Sequence, residues 1–292
     1  EKILIGGIEN NKTNEQEIFN QKKINFLEGI EFQNVDVWFP LLHGINGEDG
    51  SIHGLLKFTK KPLVGCGIIG SALGMDKIMM KTIFSKLKLP QVNYLVFQNE
   101  DLNNKEVKNK LINEILKKLN FPIFVKPSNS GSSLGISKVT NESEIFHALK
   151  KASEIDQRIL IEEGLEVREI ECGIIGHSKL LTSQIGEVKY NTDWYDYDSK
   201  YNLNNKIIIP AEIDPKITKQ IKEIAIQGCK ALNIFGFARV DFFLEKFSNK
   251  ILINEINTIP GFTSKSMFPM LWEATGLKIE QLVAKLVDIS LD

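Results

Sequence analysis

The chain has 292 residues, 42% of them hydrophobic and 25% charged, with a formal net charge of -1 at neutral pH. That length supports a large core spread over two or three lobes. The charge balance argues against nucleic acid as the main partner, since such binders carry a strong basic excess, and no apolar run approaches a membrane span. Cys66, Cys172 and Cys229 are far apart and form no paired motif, so they read as reduced thiols of a cytoplasmic protein. His43, His53, His147 and His177 do not cluster, which argues against a transition-metal site.

Strand and helix patterns alternate along the chain. Residues 35–39 (VDVWF) form an apolar run ending at Pro40 and read as a strand. Apolar spacing predicts one helix over 71–87, stopping before Pro90. Strands follow at 121–126 and 159–163, and between them a helix over 141–153 capped by Asn141. Asp214-Pro215 reads as a cap and first helical residue, and Ile217, Ile221, Ile224, Gly228 and Leu232 then fall on one face. ARVDFFLE and KILINEIN flank Phe-Ser-Asn and predict a hairpin, and the last helix spans roughly 278–290.

Strand alternation puts Arg239, Asp241 and Phe243 on one face of the first hairpin strand, and Ile253, Glu255 and Asn257 on one face of the second. If the connecting loop has an odd number of residues, Asp241 and Glu255 meet. Two adjacent carboxylates repel and lose hydration unless a cation joins them. Asp, Glu and Asn offer only oxygen, which suits Mg²⁺ completed by substrate phosphates. An ordinary charged sheet face is the alternative for Asp241 alone.

In KPSNSGSSLGISKV (126–139), Lys126 ends an apolar strand and a loop of small residues follows. Such a loop lets backbone N–H groups approach phosphate oxygens. A flexible surface loop is the alternative, and no Walker A or G-x-G-x-x-G pattern is present. LHGINGEDGSIHG (42–54) reads as a turn-rich loop with a His and carboxylate cluster leading into a helix.

LLHGINGEDG, SALGMDK, FVKPSNSGSSLGISKV, WYDYDSKY, GFARVDFF and NEINTIPGFTSKSMFP stand in the order found in D-alanine–D-alanine ligases of the ATP-grasp superfamily. The resemblance runs from about residue 35 to the end. It implies a mixed α/β (α+β) ATP-grasp fold. A partial N-terminal α/β lobe would occupy residues 1–78, a central lobe 79–163 and a C-terminal lobe 164–292, the last two clamping ATP between antiparallel sheets.

The implied reaction joins two D-alanines for peptidoglycan precursor synthesis. The first carboxylate attacks the γ-phosphate of ATP, and the second amine attacks the resulting acyl phosphate. By motif match, Lys77 and Lys126 touch the ATP phosphates, and Lys200 reaches the γ-phosphate from a closing loop. Glu162 and Leu165 meet the adenine edge, Phe124 and Phe243 pack on the ring, and Glu169 takes the ribose hydroxyls. Asp241, Glu255 and Asn257 hold a pair of Mg²⁺ (or Mn²⁺) ions. Arg239 and the Gly261 N–H stabilise the oxyanion. Ser266 and Met267 contact the second D-alanine, His43 and Ser132 lie near the first, and Tyr201 ties the closing loop to Ser132. A homodimer with small-molecule substrates, and with neither nucleic acid nor membrane as partner, is the implied assembly.

The opening stretch departs from the family pattern. Gly6-Gly7 reads as coincidental, because the serine, glutamate and Val-Ser pair that follow a Gly-Gly loop in the family are not recognisable here. The chain is therefore expected to begin part-way into the N-terminal lobe, with an incomplete first-substrate site. Glu163-Gly164 also differs from the lysine and bulky residue of many relatives. The competing readings are a D-alanine–D-serine or D-alanine–D-lactate ligase, and an inactive nucleotide-binding remnant. Lys200-Tyr201 and Ser266-Met267 favour D-alanine as second substrate.

Overall fold

The structure, a computed structural model, describes residues 34–98, 104–131, 134–189 and 206–291. Contacts divide the chain into residues 1–35 and 36–292, and the second unit is described below. Its helices are α1 (Ser51–Lys57), α2 (Gly67–Met75), α3 (Lys77–Lys86), α4 (Lys105–Lys118), α5 (Glu142–Ser153), α6 (Pro215–Ala231), α7 (Met267–Glu273) and α8 (Ile279–Leu291). Its strands are β1 (Tyr94–Gln98), β2 (Ile123–Pro127), β3 (Ser137–Val139), β4 (Arg158–Glu163), β5 (Val167–Gly176), β6 (Leu181–Lys189), β7 (Lys206–Ile208), β8 (Gly236–Glu245) and β9 (Ile251–Asn257).

These strands make two antiparallel sheets, ordered β1-β4-β2-β3 and β7-β6-β5-β8-β9. In the first, Ile123, Val125, Ile159 and Ile161 pack against Leu111 and Ile115 of α4 and Ile145 and Leu149 of α5. In the second, alternation splits β5 and β8 between two environments. Ile170, Cys172, Val240 and Phe242 join a core with Phe84 of α3 and Ile221, Ala225 and Cys229 of α6. Ile175 and Phe237 turn the other way, against Phe268 and Trp272 of α7 and Leu282 and Leu286 of α8. The helices α7 and α8 thus cover one end of that second face. The other end bears Glu169, Glu171, Arg239, Asp241 and Phe243, as the pairing of β5 with β8 shows.

The expected caps form. Asn141 accepts from Ser143 N–H at 3.1 Å, and Asp214 from Lys216 N–H at 2.7 Å. Ile221 and Gly228 of the predicted α6 stripe are buried, and Ile217 and Ile224 pack partly against the same core. A Cβ at Gly228 would sit 2.8 Å from Ile253 Cδ1, so this glycine lets α6 approach β9 closely.

Two expected elements differ. Residues 35–39 form no strand; Trp38 makes a single parallel bridge to Leu63, through Trp38 N–H to Pro62 O and Val64 N–H to Trp38 O. The next rungs would need N–H donors from Pro40 and Pro62, and proline has none. The single helix expected over 71–87 is two, α2 and α3, separated by Asp76 in an extended conformation with ψ 99°. The Asp76 carboxylate accepts from Ile78 and Met79 N–H, both at 3.1 Å, and from the Ser128 hydroxyl at 2.7 Å. It also pairs with Arg158 at 2.7 Å.

Asp76 therefore fastens the start of α3 to the loop after β2 and to the start of β4. Burial raises its carboxyl pKa, but Ser128, Met79 N–H and Arg158 outweigh that and hold it below the ordinary carboxylate range. Asp76→Ala should cost about 1–2 kcal/mol in urea unfolding near neutral pH. A depressed carboxyl contributes fully above its ordinary pKa and loses that contribution as pH falls through the folded value, so the wild-type advantage should shrink in acid.

Candidate active site

A bulge sets which side chains of the hairpin meet. Arg239 stands opposite Asn257 and Asp241 opposite Glu255, but Phe242 stands opposite Ile253, so Asn254 is an extra residue on β9. Nearer the turn, Glu245 N–H donates to Lys250 O, leaving the even-numbered connection Lys246, Phe247, Ser248 and Asn249. Loop parity thus does not align the carboxylates; the bulge does. It also corrects the expected face of Ile253, which is fully buried opposite Phe242 while Glu255 faces the site.

The first sheet and α3 bring the lysines. Lys126 on β2 donates to Glu162 Oε2, and Lys81 on α3 lies 2.5 Å from Glu162 Oε1. Lys81 and Glu162 are each 2% exposed. Burial pushes the Glu162 carboxyl up, but Lys126 and Lys81 outweigh it and pull the pKa down to about 2. Burial likewise lowers Lys126, and Glu162 more than reverses that. One turn before Lys81, Lys77 donates to Ser130 O at 2.5 Å and reaches within 4.0 Å of Glu255 Oε2. Burial lowers its pKa against the attraction of Glu255.

Arg239 sits between two carboxylates. Its Nε and Nη2 donate to Asp241 Oδ1 and Oδ2, both at 2.7 Å, and its Nε lies 3.0 Å from Glu171 Oε2. Asn257 Nδ2 donates to Asp241 Oδ2 at 2.9 Å. Burial works against the Arg239 charge, but Asp241 and Glu171 prevail and its pKa stands well above the ordinary value.

The remaining candidates lie around this centre. His43 is raised by neighbouring Glu48, whose Oε1 is 4.0 Å from Nδ1; the Ile259 backbone raises it further and Arg239 opposes, which places loop 42–50 beside the end of β9. Glu48 Oε2 accepts from Gly44 N–H at 2.7 Å. Ser266 stands just before α7 without a side-chain bond to its first turn, and its Oγ accepts from Thr263 N–H at 3.1 Å. A Cβ at Gly261 would lie 2.9 Å from that Oγ. Met267 is buried at the first position of α7. Glu169 stands opposite Phe243, and Phe124 opposite Glu162. Leu165 follows Gly164, where a Cβ would lie 2.7 Å from the Phe124 ring. Ser132, Lys200 and Tyr201 lie outside the described residues.

The donors Asp241, Glu255 and Asn257 are all oxygen, the class a hard divalent cation takes. Among the described residues no group of three or more His, Cys, Asp or Glu forms a metal cage. Two carboxylates and an amide are an incomplete shell of the kind that phosphate oxygens and water complete. The side chains present therefore fit Mg²⁺ as a partner of bound nucleotide. Glu171 and Lys81 were missed in the sequence. Alternation along VREIECG would have put Glu171 beside Glu169, and i, i+4 spacing would have put Lys81 beside Lys77.

Residues 6–66 match the D-ala D-ala ligase N-terminus family, so Gly6-Gly7 falls inside a matched stretch, and residues 83–288 match the D-ala D-ala ligase C-terminus family. A curated D-alanine--D-alanine ligase of Prochlorococcus marinus strain MIT 9301 is 85% identical over 100% of this chain and 82% of its own length. That of strain NATL1A is 48% identical over 94% and 79%. Among solved structures, the VanG D-Ala:D-Ser ligase of Enterococcus faecalis superposes with a TM-score of 0.79 at 36% identity, over 88% of this chain and 73% of that one. The D-alanine-D-alanine ligase of Coxiella burnetii gives 0.76 at 34%, over 88% and 68%. The fold is the ATP-grasp fold. Both family matches and 85% identity over the whole of this chain lead to one assignment: the chain belongs to the D-alanine–D-alanine ligase family.

Proposed function

We propose that this chain is an ATP-dependent ligase that joins two D-alanines through an acyl phosphate, supplying dipeptide for peptidoglycan precursors in the cytoplasm. The observation that carries the reading is the convergence of Glu255, Asp241 and Arg239 from one sheet with Lys77 from α3, 4.0 Å from Glu255. Relatives named D-alanine--D-alanine ligase at 70–85% identity favour D-alanine over D-serine or D-lactate as second substrate, and an enzyme over a nucleotide-binding remnant.

In this reading the lobes divide at residues 163 and 164, between β4 and β5. Lys77 and Lys126 bind phosphate oxygens, exchanging Ser130 O and Glu162 for a stronger anionic partner. Glu162 and Leu165 border the adenine, between Phe124 and Phe243, and Glu169 holds the ribose. A pair of Mg²⁺ or Mn²⁺ ions, held by Asp241, Glu255 and Asn257, neutralises phosphate charge when bound. Arg239 and the Gly261 N–H hold the oxyanion, where fixed donors lower the barrier most. Ser266 and Met267 orient the second D-alanine, and His43 and Ser132 border the first. Lys200 and Tyr201 complete the site from the segment before β7. A homodimer is part of the proposal. Among the described residues no helix is long and apolar enough to cross a membrane.

Comparing ATP turnover with D-alanine, D-serine and D-lactate tests the substrate; faster turnover with D-serine would overturn the choice. Glu255→Gln should lower kcat by about a hundredfold or more, equivalent to about 3 kcal/mol, with an unchanged circular dichroism spectrum. Near-normal activity in that variant would remove the metal role. Glu162→Gln should cost about 3–5 kcal/mol in urea unfolding, because Lys81 and Lys126 lose a shared buried counter-charge. With its pKa at about 2 against an ordinary 4.5, Glu162 contributes fully above the ordinary value and loses its contribution only as pH falls towards the lower one. The difference between wild type and Glu162→Gln should therefore be as large at about pH 5 as near neutrality.

A further inference from the structure

We propose that Glu171 is a positioning residue that keeps Arg239 paired and aimed at the reacting carboxyl while Asp241 turns its oxygens to a divalent cation. The inference rests on the reading of the site given above. Asp241 has two oxygens, and Arg239 occupies both through Nε and Nη2 at 2.7 Å. Asn257 takes a further contact with Oδ2 at 2.9 Å. The same carboxylate cannot keep that bidentate fork and also direct an oxygen at a metal ion with full strength. Releasing the fork would strand a guanidinium whose side chain is only 15% exposed, and an unpaired charge at such depth is costly.

Glu171 removes that difficulty. It lies on β5 directly opposite Asp241 on β8, and its Oε2 already stands 3.0 Å from Arg239 Nε. The Nε–H that donates to Asp241 therefore has a second carboxylate within reach, and it can change acceptor without the guanidinium leaving its place. Glu171 is itself only 9% exposed and is held on a strand paired on both sides, by β6 and β8, so it is a fixed acceptor. Gly186, its partner on β6, presents no side chain between Glu171 and α7. Arg239 thus has one carboxylate that can be given up and one that stays.

The test is Mn²⁺ binding to the full chain in the presence of ADP, followed by electron paramagnetic resonance, with ADP binding in the absence of metal measured by calorimetry. Glu171→Gln removes the second carboxylate at the Arg239 Nε, so that Asp241 must serve both the guanidinium and the cation. Its Mn²⁺ affinity should fall about 10–100-fold, while metal-free ADP affinity and the melting temperature stay near wild type. Glu171→Asp keeps the charge and should recover part of the loss, which also serves if the glutamine variant folds poorly. Equal Mn²⁺ affinity in wild type and both variants would overturn the role of Glu171. If wild-type protein with ADP binds no Mn²⁺, the reading of the metal site falls, and this inference with it.

Discussion

Asn254 adds one residue to β9 against β8, and that insertion lets Ile253 and Ile256 both point into the core while Glu255 and Asn257 point out of it. In a regular strand, residues three apart lie on opposite faces. Without the bulge, burying Ile253 opposite Phe242 would carry Asn254 opposite Asp241 and leave Glu255 out of reach. The Ile253 N–H donates to Pro90 O, outside the sheet, so the backbone donor near the irregularity stays satisfied. Core packing thus fixes where the carboxylates stand, and the charged face inherits its geometry from isoleucines that never touch it.

The charges on that face are paired with one another. Lys81 and Lys126 share Glu162, Lys77 leans on Ser130 O near Glu255, and Arg239 lies between Asp241 and Glu171. Such pairing makes a preorganised site stable without its ligand, because each partly buried charge keeps a partner. It also sets the terms of binding. Any anion that bound to these lysines would have to displace internal acceptors, so its affinity would measure the difference between two paired states and not the full attraction of a lysine for the anion.

Much of this was legible in the residues. Caps at Asn141 and Asp214, the hairpin, and the apolar-strand-then-lysine pattern at Lys126 follow from local chemistry that tertiary contacts do not override. The failures come from partners distant in sequence. Apolar periodicity runs through Asp76, but the carboxylate finds Ser128 and Arg158, distant in sequence, and stops the helix there. Residues 35–39 have strand composition, yet Pro62 in their partner and Pro40 at their end leave only one bridge. The place of Glu171 becomes visible only when β8 sets Asp241 opposite it and Arg239 opposite the neighbouring Gly173. Pairings across long sequence separations decide these cases, and a single strand carries no record of its neighbour.

Glycines on β5 and β6 explain where the site ends. A Cβ at Gly173 would come 2.7 Å from Trp272 Nε1, and one at Gly186 would come 2.8 Å from Leu271 and 3.0 Å from Met267 Sδ. Both residues lie on the face that bears Glu171, and both let α7 rest directly on the strands. That close contact seats Met267 and, one residue earlier, Ser266, whose Oγ in turn holds Thr263 N–H and crowds Gly261. The loop from Gly261 to Ser266 is therefore set by how near α7 can approach the sheet. Along β5, α7 packs on Gly173, and the next residue on that face is Glu171, where paired charge begins. One strand face thus passes within a single alternation from core to site, and a larger side chain at either glycine would move the boundary on which both depend.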